Sequence, residues 1–362
     1  MTPDSSSTPG NGERSGSGKS EKLLRSLAKH ESVVLLSHVH PDPDSLGSML
    51  GLRHLIKTRL KLPVIMVRDG LIGRAENQAM VQCLKLVLTP IEEIEWQPEQ
   101  AVIMVDSQPK TGRHNLPETV KIHGVIDHHA SGGDLAGVPF VDVRPNVGAT
   151  ATLVTGYLMD QRLVPPPDVA TALFYGIESE LTGFPREASR LDDGASLLLY
   201  EHIDKDLLAQ IRNARLPLSY FETLIQALQN SFIYDKLIVS WAGDLPQAEL
   251  VAEIADFLIR FEEVEWSFCA GIYRDQLVMS MRTIHATGES ASLLQQVVNG
   301  MGRAGGHDRR AGGSIPLESD APSAIDAIRS TLRKRLLQVL DIDECRGQRL
   351  VSKKELIQNL QT

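Results

Sequence analysis

The chain has 362 residues, enough for about two domains at the usual ~150 residues each, which excludes a peptide hormone or a disulfide mini-protein. Hydrophobic residues make up 42% and charged residues 23%, as in soluble globular proteins, and no run approaches the ~18 consecutive apolar residues of a membrane span. The net charge of -9, from 37 Lys and Arg against 46 Asp and Glu, argues against coating of long nucleic acid by phosphate neutralisation, but not against a small phosphate-bearing substrate held by a metal.

Residues 1–20 are mainly Ser, Gly, Thr, Pro and charge, lack the apolar core of a signal peptide, and read as a disordered tail. Leu23, Leu24 and Leu27 suggest a short helix, and Val33–Leu36 is a continuous apolar run of the kind buried on both faces of a sheet. Similar runs recur at Val64–Val67, Ala101–Val105 and Gly124–Ile126, separated by helical patterns at 45–60 and 73–88. Alternating strand and helix of this kind predicts a parallel α/β sheet with right-handed crossovers and flanking helices. Helical patterns follow at 149–161, 168–175, 191–202 and 219–230. A second strand-rich region has strand-like composition at 237–239, 266–273 and 277–281, then a helical pattern at 290–300 and a Gly-rich segment at 302–313. These patterns divide the chain into a catalytic domain at 21–205, a helical connector at 206–234, a smaller α/β domain at 235–340 and a peripheral tail at 341–362. Cys83, Cys269 and Cys345 are odd in number and far apart, which fits free thiols in a reducing, cytoplasmic setting.

Three strand ends carry the chemistry. His38, Asp42 and Asp44 stand in the loop after Val33–Leu36, where the carboxyl end of a strand in an open α/β sheet meets ligand. The alternative is that Asp44 or Ser45 caps the following helix and the prolines shape the turn; capping explains one residue of the three. Asp106 ends the run Ala101–Val105, and Asp127, His128 and His129 end Gly124–Ile126. Neighbouring strand ends bring these residues together although they are far apart in sequence. Carboxylates and imidazoles without thiolate suit Mn²⁺ or Mg²⁺ rather than structural zinc. Trp96, Trp241 and Trp266 read as packing residues, and His114 and His123 as ordinary polar or strand-edge residues.

In that order and spacing the residues resemble the DHH phosphoesterases. His38, Asp42 and Asp44 resemble the family's first motif, Val105-Asp106-Ser107 the second, Asp127-His128-His129 the third and Gly176–Glu180 the fourth, while Gly305–His307 and Ala311–Gly313 resemble the associated C-terminal DHHA1 domain. The resemblance implies two divalent cations, Mn²⁺ first with Mg²⁺ or Co²⁺ as alternatives. His38, Asp42 and Asp106 would hold one and Asp44, Asp106, His128 and Glu180 the other, with Asp106 between them. His129 would face the substrate phosphate, and Asp127 would orient a ligand. Arg282, Gly305, Gly306, His307, Arg309 and Arg310 would bind the far end of the substrate, across a cleft. Three positions depart from the family pattern: Glu180 replaces Asp, His40 replaces Asn, and Arg310 stands where a small residue is commoner.

The implied activity is hydrolysis of phosphodiester bonds in short single-stranded oligonucleotides or small nucleotides, with no membrane or long duplex as partner. Cyclic dinucleotide hydrolysis, dephosphorylation of 3′-phosphoadenosine-5′-phosphate, polyphosphate hydrolysis and a catalytically weak regulatory protein are the alternatives. Residues 282–335 carry eight Lys or Arg against five acids, while 235–281 carry three against nine, so positive charge gathers beside the Gly-rich segment. Arg329–Arg335 within that stretch read as an exposed helix face.

Overall fold

The computed structural model describes residues 18–130, 132–181, 188–306, 308–343 and 346–351. Most of the expected N-terminal tail, His307, Cys345 and residues 352–362 lie outside them. The chain divides into two units, the first comprising residues 1–72 and 76–214, the second Gly73–Ala75 and residues 215–362.

The first unit opens with α1 (Lys19–Leu27), β1 (Ser32–Val39), α2 (Pro43–Leu60), β2 (Val64–Asp69), α3 (Ala75–Cys83), β3 (Leu88–Pro90), β4 (Gln100–Val105), β5 (Gly124–Asp127) and β6 (Phe140–Val143). Four helices follow: α4 (Thr150–Asp160), α5 (Pro167–Leu181), α6 (Arg190–Tyr200) and α7 (Lys205–Arg212). Six strands form one sheet in the order β3-β2-β1-β4-β5-β6, and every pairing is parallel. The order reverses between β1 and β4, so their carboxyl ends frame the crevice where open α/β sheets bind ligands.

Side chains of a strand alternate between faces, and the core follows that period. Val33 and Leu35 pack with helix residues such as Leu46, Met49, Leu173 and Tyr157, while Val34 and Leu36 face a smaller cluster with Ile91, Leu116 and Trp96. Helices thus cover one face of the sheet and connecting segments cover the other. On the helical side α2 and α5 pack closely through glycine. A Cβ on Gly47 would lie 2.5 Å from the Ala172 carbonyl oxygen, and one on Gly176 would lie 3.1 Å from the Asp44 Cα. The second approach brings the last turn of α5 to the start of α2.

The second unit contains α8 (Leu218–Gln229), β7 (Ser231–Tyr234), β8 (Leu237–Asp244), α9 (Leu250–Leu258), β9 (Trp266–Tyr273), β10 (Gln276–Thr283), α10 (Ser290–Val298), β11 (Arg303–Gly306), β12 (Arg310–Pro316), α11 (Pro322–Val339) and β13 (Gln348–Arg349). Its sheet runs β11-β12-β10-β9-β8-β7-β13, antiparallel except where β8 meets β9. Leu294, Val297, Leu332 and Leu336 of α10 and α11 pack with Val239 and Phe268, while α8 and α9 pack with Ile238 and Cys269. The Gly-rich segment is a hairpin, with Gly305 opposite Gly312 and Gly306 opposite Ala311. Arg329 lies over the Trp241 ring and Arg335 donates to the Val297 and Asn299 carbonyls, so this helix face is partly engaged as well as exposed.

Candidate metal centre

The strand ends converge. Asp44, Asp106 and His128 are at most 1% exposed and His38 is 5% exposed. His38 is the penultimate residue of β1, while Asp106 and His128 immediately follow β4 and β5. Asp106 has φ +57°, a left-handed conformation that Asp tolerates better than most residues. Ligand atoms of His38, Asp42 and Asp106 lie within 4.8 Å of one another, as do those of Asp106, His128 and His129, so Asp106 belongs to both groups.

The capping expectation is corrected in detail. Asp42 is the N-cap of α2, accepting the Ser45 amide at 3.0 Å. Asp44, in the first helical turn, caps a different helix: its oxygens accept the amides of Thr150 and Ala151, each at 2.7 Å, where α4 lacks a local side-chain cap. Asp106 accepts the Ser45 hydroxyl at 2.8 Å on Oδ2 and the Thr150 hydroxyl at 2.9 Å on Oδ1. Thr150 therefore ties the two carboxylates to one helix start.

The histidines are oriented by their other nitrogen. Nδ1 of His38 donates to the Val39 carbonyl at 2.9 Å and Nδ1 of His128 to the Val147 carbonyl at 3.2 Å, which turns Nε2 of each toward the carboxylates, His38 Nε2 also lying 3.1 Å from the Ser45 hydroxyl. His38 Nε2 lies 3.5 Å from Asp42 and 3.6 Å from Asp106; His128 Nε2 lies 3.5 Å from Asp106 and 3.7 Å from Asp44. His129 differs. Its Nδ1 donates to Asp127 at 2.8 Å and also lies 3.6 Å from Asp106, so by hydrogen bonding it is an oriented side chain more than a ligand. Asp127 accepts from Gln108 Nε2 at 2.7 Å, and the same nitrogen reaches the His129 carbonyl at 3.0 Å.

Burial pushes the Asp44 carboxyl well above the ordinary range, assisted by the charges of Asp106, Glu180 and Asp42. Glu180, half-buried on α5, thus acts on Asp44 electrostatically. Burial also opposes ionisation of Asp106, but the His38 hydrogen bond and the charges of His129, His128 and His38 outweigh it and hold this carboxyl low. Burial alone would lower His38, yet its bonds to Asp106 and Asp42 raise it well above the usual imidazole value. Protons therefore act as the counter-charge of a carboxylate cluster, and they compete at the same atoms with any multivalent cation. An oxygen and imidazole donor set, with carbonyl-oriented histidines and without thiolate, fits a hard divalent ion.

The remaining expected residues belong to other elements. Arg282 ends β10, Gly305 and Gly306 close β11, and Arg309 and Arg310 lead into β12, all in the second unit. His307 falls outside the described residues. His40 has φ +62°, and its Nδ1 accepts the Leu71 amide at 3.2 Å. Thr150 and Gln108 carried no signal in the sequence, and Ser45 read only as a possible helix cap: a threonine, a glutamine and a serine become part of the site through bonds to distant carboxylates.

A parallel sheet with a buried carboxylate and imidazole cluster at its switch point defines an α/β protein with a divalent-metal type of centre. Residues 32–177 match the DHH family, N-terminal domain. An uncharacterized protein of Methanocaldococcus jannaschii is 31% identical over 322 residues, 87% of this chain and 66% of its own length. The cyclic-di-AMP phosphodiesterase GdpP of Bacillus subtilis is 27% identical over 309 residues, covering 80% of this chain and 45% of its own. The bifunctional oligoribonuclease and PAP phosphatase NrnA of Mycoplasma genitalium is 24% identical over 262 residues, 67% of this chain and 79% of its own. The chain thus spans just under two thirds of the first relative and less than half of the second. The crystal structure of an exopolyphosphatase-related protein from Bacteroides fragilis superposes with a TM-score of 0.70 at 16% identity, over 89% of this chain and 98% of that one, which shows a shared fold. Among the described residues no helix is long and apolar enough to cross a membrane.

Proposed function

We propose that the chain is a divalent-metal-dependent phosphoesterase that hydrolyses phosphodiester bonds in short single-stranded oligonucleotides or small nucleotides. The observation that carries the reading is Asp106, a buried carboxylate common to two groups of candidate ligands. His38, Asp42 and Asp106 would hold one cation, and Asp44, Asp106, His128 and Glu180 the other, with Mn²⁺ as the first choice of ion. When bound, such a pair supplies Lewis-acid activation of water and neutralises charge on a phosphoryl group.

The protein's own contribution is positioning. Backbone amides and hydroxyls hold the lone pairs of Asp44 and Asp106 in fixed directions before substrate arrives. Asp127, steadied by Gln108, holds Nδ1 of His129, whose ring would face the phosphate and hold or deliver a proton there. Arg282, Gly305, Gly306, His307, Arg309 and Arg310 would bind the rest of the substrate, their positive charge supplying the phosphate attraction that a metal cluster formally neutral once filled lacks.

The likeness to NrnA supports oligonucleotides and the nucleotide 3′-phosphoadenosine-5′-phosphate, while the likeness to GdpP favours a second reading, hydrolysis of a cyclic dinucleotide. The test is a panel of di- to pentanucleotides, cyclic dinucleotides and 3′-phosphoadenosine-5′-phosphate with purified protein and Mn²⁺. Turnover of one class that vanishes in Asp106→Ala is expected. Ligand binding without turnover, unaffected by Asp106→Ala, would remove the two-metal reading in favour of a regulatory binding protein.

A further inference from the structure

Arg282 is 7% exposed and held on two sides. Its Nε donates to Asp256 Oδ1 at 2.5 Å, while Nη1 donates to the Ser280 hydroxyl at 2.5 Å and to the Met281 and Ala311 carbonyls at 3.0 and 3.4 Å. Nη2 makes no hydrogen bond among the described residues. Two of the three guanidinium nitrogens are therefore fixed by the protein, and the third is left for an outside acceptor.

Arg282 stands directly opposite Arg310 across the β10 and β12 pair, so both side chains leave the same face of the sheet. Like charges in that position repel, and a pair serving stability alone would be expected to carry opposite signs. Asp256, on α9, lies between them electrostatically. Burial pushes its carboxyl up, but the charges of Arg282, Arg74 and Arg310 outweigh burial and hold it below the ordinary range. Arg74 belongs to the same unit, its Nη2 3.4 Å from Asp256 Oδ2. Three guanidiniums thus act on one carboxylate.

We propose that Asp256 is a positioning residue: it fixes the Arg282 guanidinium so that Nη2 is presented to an anionic group of the substrate. This rests on the phosphoesterase reading and on Arg282 as a substrate contact. The competing role, simple charge balance, gives the opposite sign. If Asp256 only dilutes positive charge, neutralising it strengthens anion binding; if it positions Arg282, removing its oxygen weakens anion binding.

The experiment compares wild type, Asp256→Asn and Asp256→Ala in the presence of Mn²⁺. It measures kcat and KM on the 5′-phosphorylated dinucleotide pApA, binding of adenosine 5′-monophosphate by calorimetry, and the melting temperature. Asp256→Ala is expected to raise KM and the Kd for the monophosphate by about tenfold or more, with a smaller change in kcat, the scale of a lost charge-assisted hydrogen bond. Asp256→Asn, which keeps an oxygen for Nε, is expected to recover most of that loss. Tighter binding in both variants, unchanged binding, equal losses in both, no binding by wild type, or a joint fall of kcat and melting temperature with Kd unmoved would each overturn the positioning role. If wild type hydrolyses no phosphodiester but monophosphate binding follows the expected pattern, the phosphoesterase reading falls and the positioning role stands. Turnover without that pattern removes the positioning role and leaves the phosphoesterase reading intact.

Discussion

Asp106→Asn tests the centre at the one carboxylate shared by its two ligand groups. The substitution is nearly isosteric, and Asn tolerates the φ of +57° found there, so it removes charge and ligand strength without backbone strain. A cation at about 100 times its Kd stabilises the state that binds it by ~2.7 kcal/mol. The unit that holds the site has residues 1–72 and 76–214. For a unit of that size each kcal/mol moves the midpoint by roughly 2–4 °C, so Mn²⁺ should raise the wild-type melting temperature by ~5–11 °C over EDTA. Loss of even an outer hydrogen-bond partner of a metal ligand weakens metal affinity by about 10–100-fold, and loss of the shared ligand itself should reach at least the upper figure. At the same Mn²⁺ concentration a 100-fold weaker site retains only ~0.4 kcal/mol, or about 1–2 °C. Differential scanning fluorimetry of both proteins with Mn²⁺ and with EDTA reads the difference directly. A wild type that no divalent ion shifts, or a variant that shifts as much as wild type, refutes the metal-centre argument.

Glu180→Asp is expected to leave metal-dependent turnover in place or improve it; a large loss of Mn²⁺ binding by calorimetry would mean that the site is built around the longer side chain. Thr150→Val removes the 2.9 Å hydroxyl bond to Asp106 but keeps the amide bond to Asp44, and should lower kcat by about tenfold, in line with a hydrogen bond to a charged group. Gly306→Ala places a Cβ 2.2 Å from the Arg310 carbonyl oxygen at φ +150°, so KM should rise and the β11 and β12 hairpin should lose amide-exchange protection; unchanged protection contradicts this. His123 accepts the Val102 amide on Nδ1 at 3.1 Å, and burial, followed by the charges of His30, Lys121 and Lys29, lowers its pKa to about 4 from 6.5. The neutral ring is the form favoured by folding, so its contribution is complete above about pH 6.5 and is lost as pH falls through about 4. Urea midpoints across that range should fall more steeply for wild type than for His123→Gln.

The sheet of the first unit was legible because β1, β2, β4 and β5 are apolar runs buried on both faces. β3 and β6 escaped for the same reason. Leu88-Thr89-Pro90 is three residues long, and Phe140–Val143 contains Asp142, whose burial is made tolerable by Arg144 and Tyr157 rather than by apolar character. In the second unit α11 gave little periodic signal, since only Leu332 and Leu336 are fully buried along its 18 residues. The Gly-rich segment has no strand signal in its composition, yet cross-strand pairing makes it a hairpin. Composition reports what a residue favours alone, and pairing depends on what lies opposite.

The same distinction runs through the site. His38, Asp42, Asp44, Asp106 and His128 were visible because metal-capable side chains are rarely gathered at strand ends without use. The groups that hold them were not, because Thr150 reaches Asp106 across 44 residues and Asp44 caps a helix 106 residues away. The nature of those groups also bears on what the cluster does. An amide or a hydroxyl fixes the direction of a carboxylate lone pair without taking up its charge, whereas a lysine in the same place would cancel it. Asp44 and Asp106 are steadied by such groups, while their charge is met by protons, on the Asp44 carboxyl and on the His38 imidazole. Those protons are the counter-charge that a multivalent cation would displace, which suits a cluster whose lone pairs are already directed.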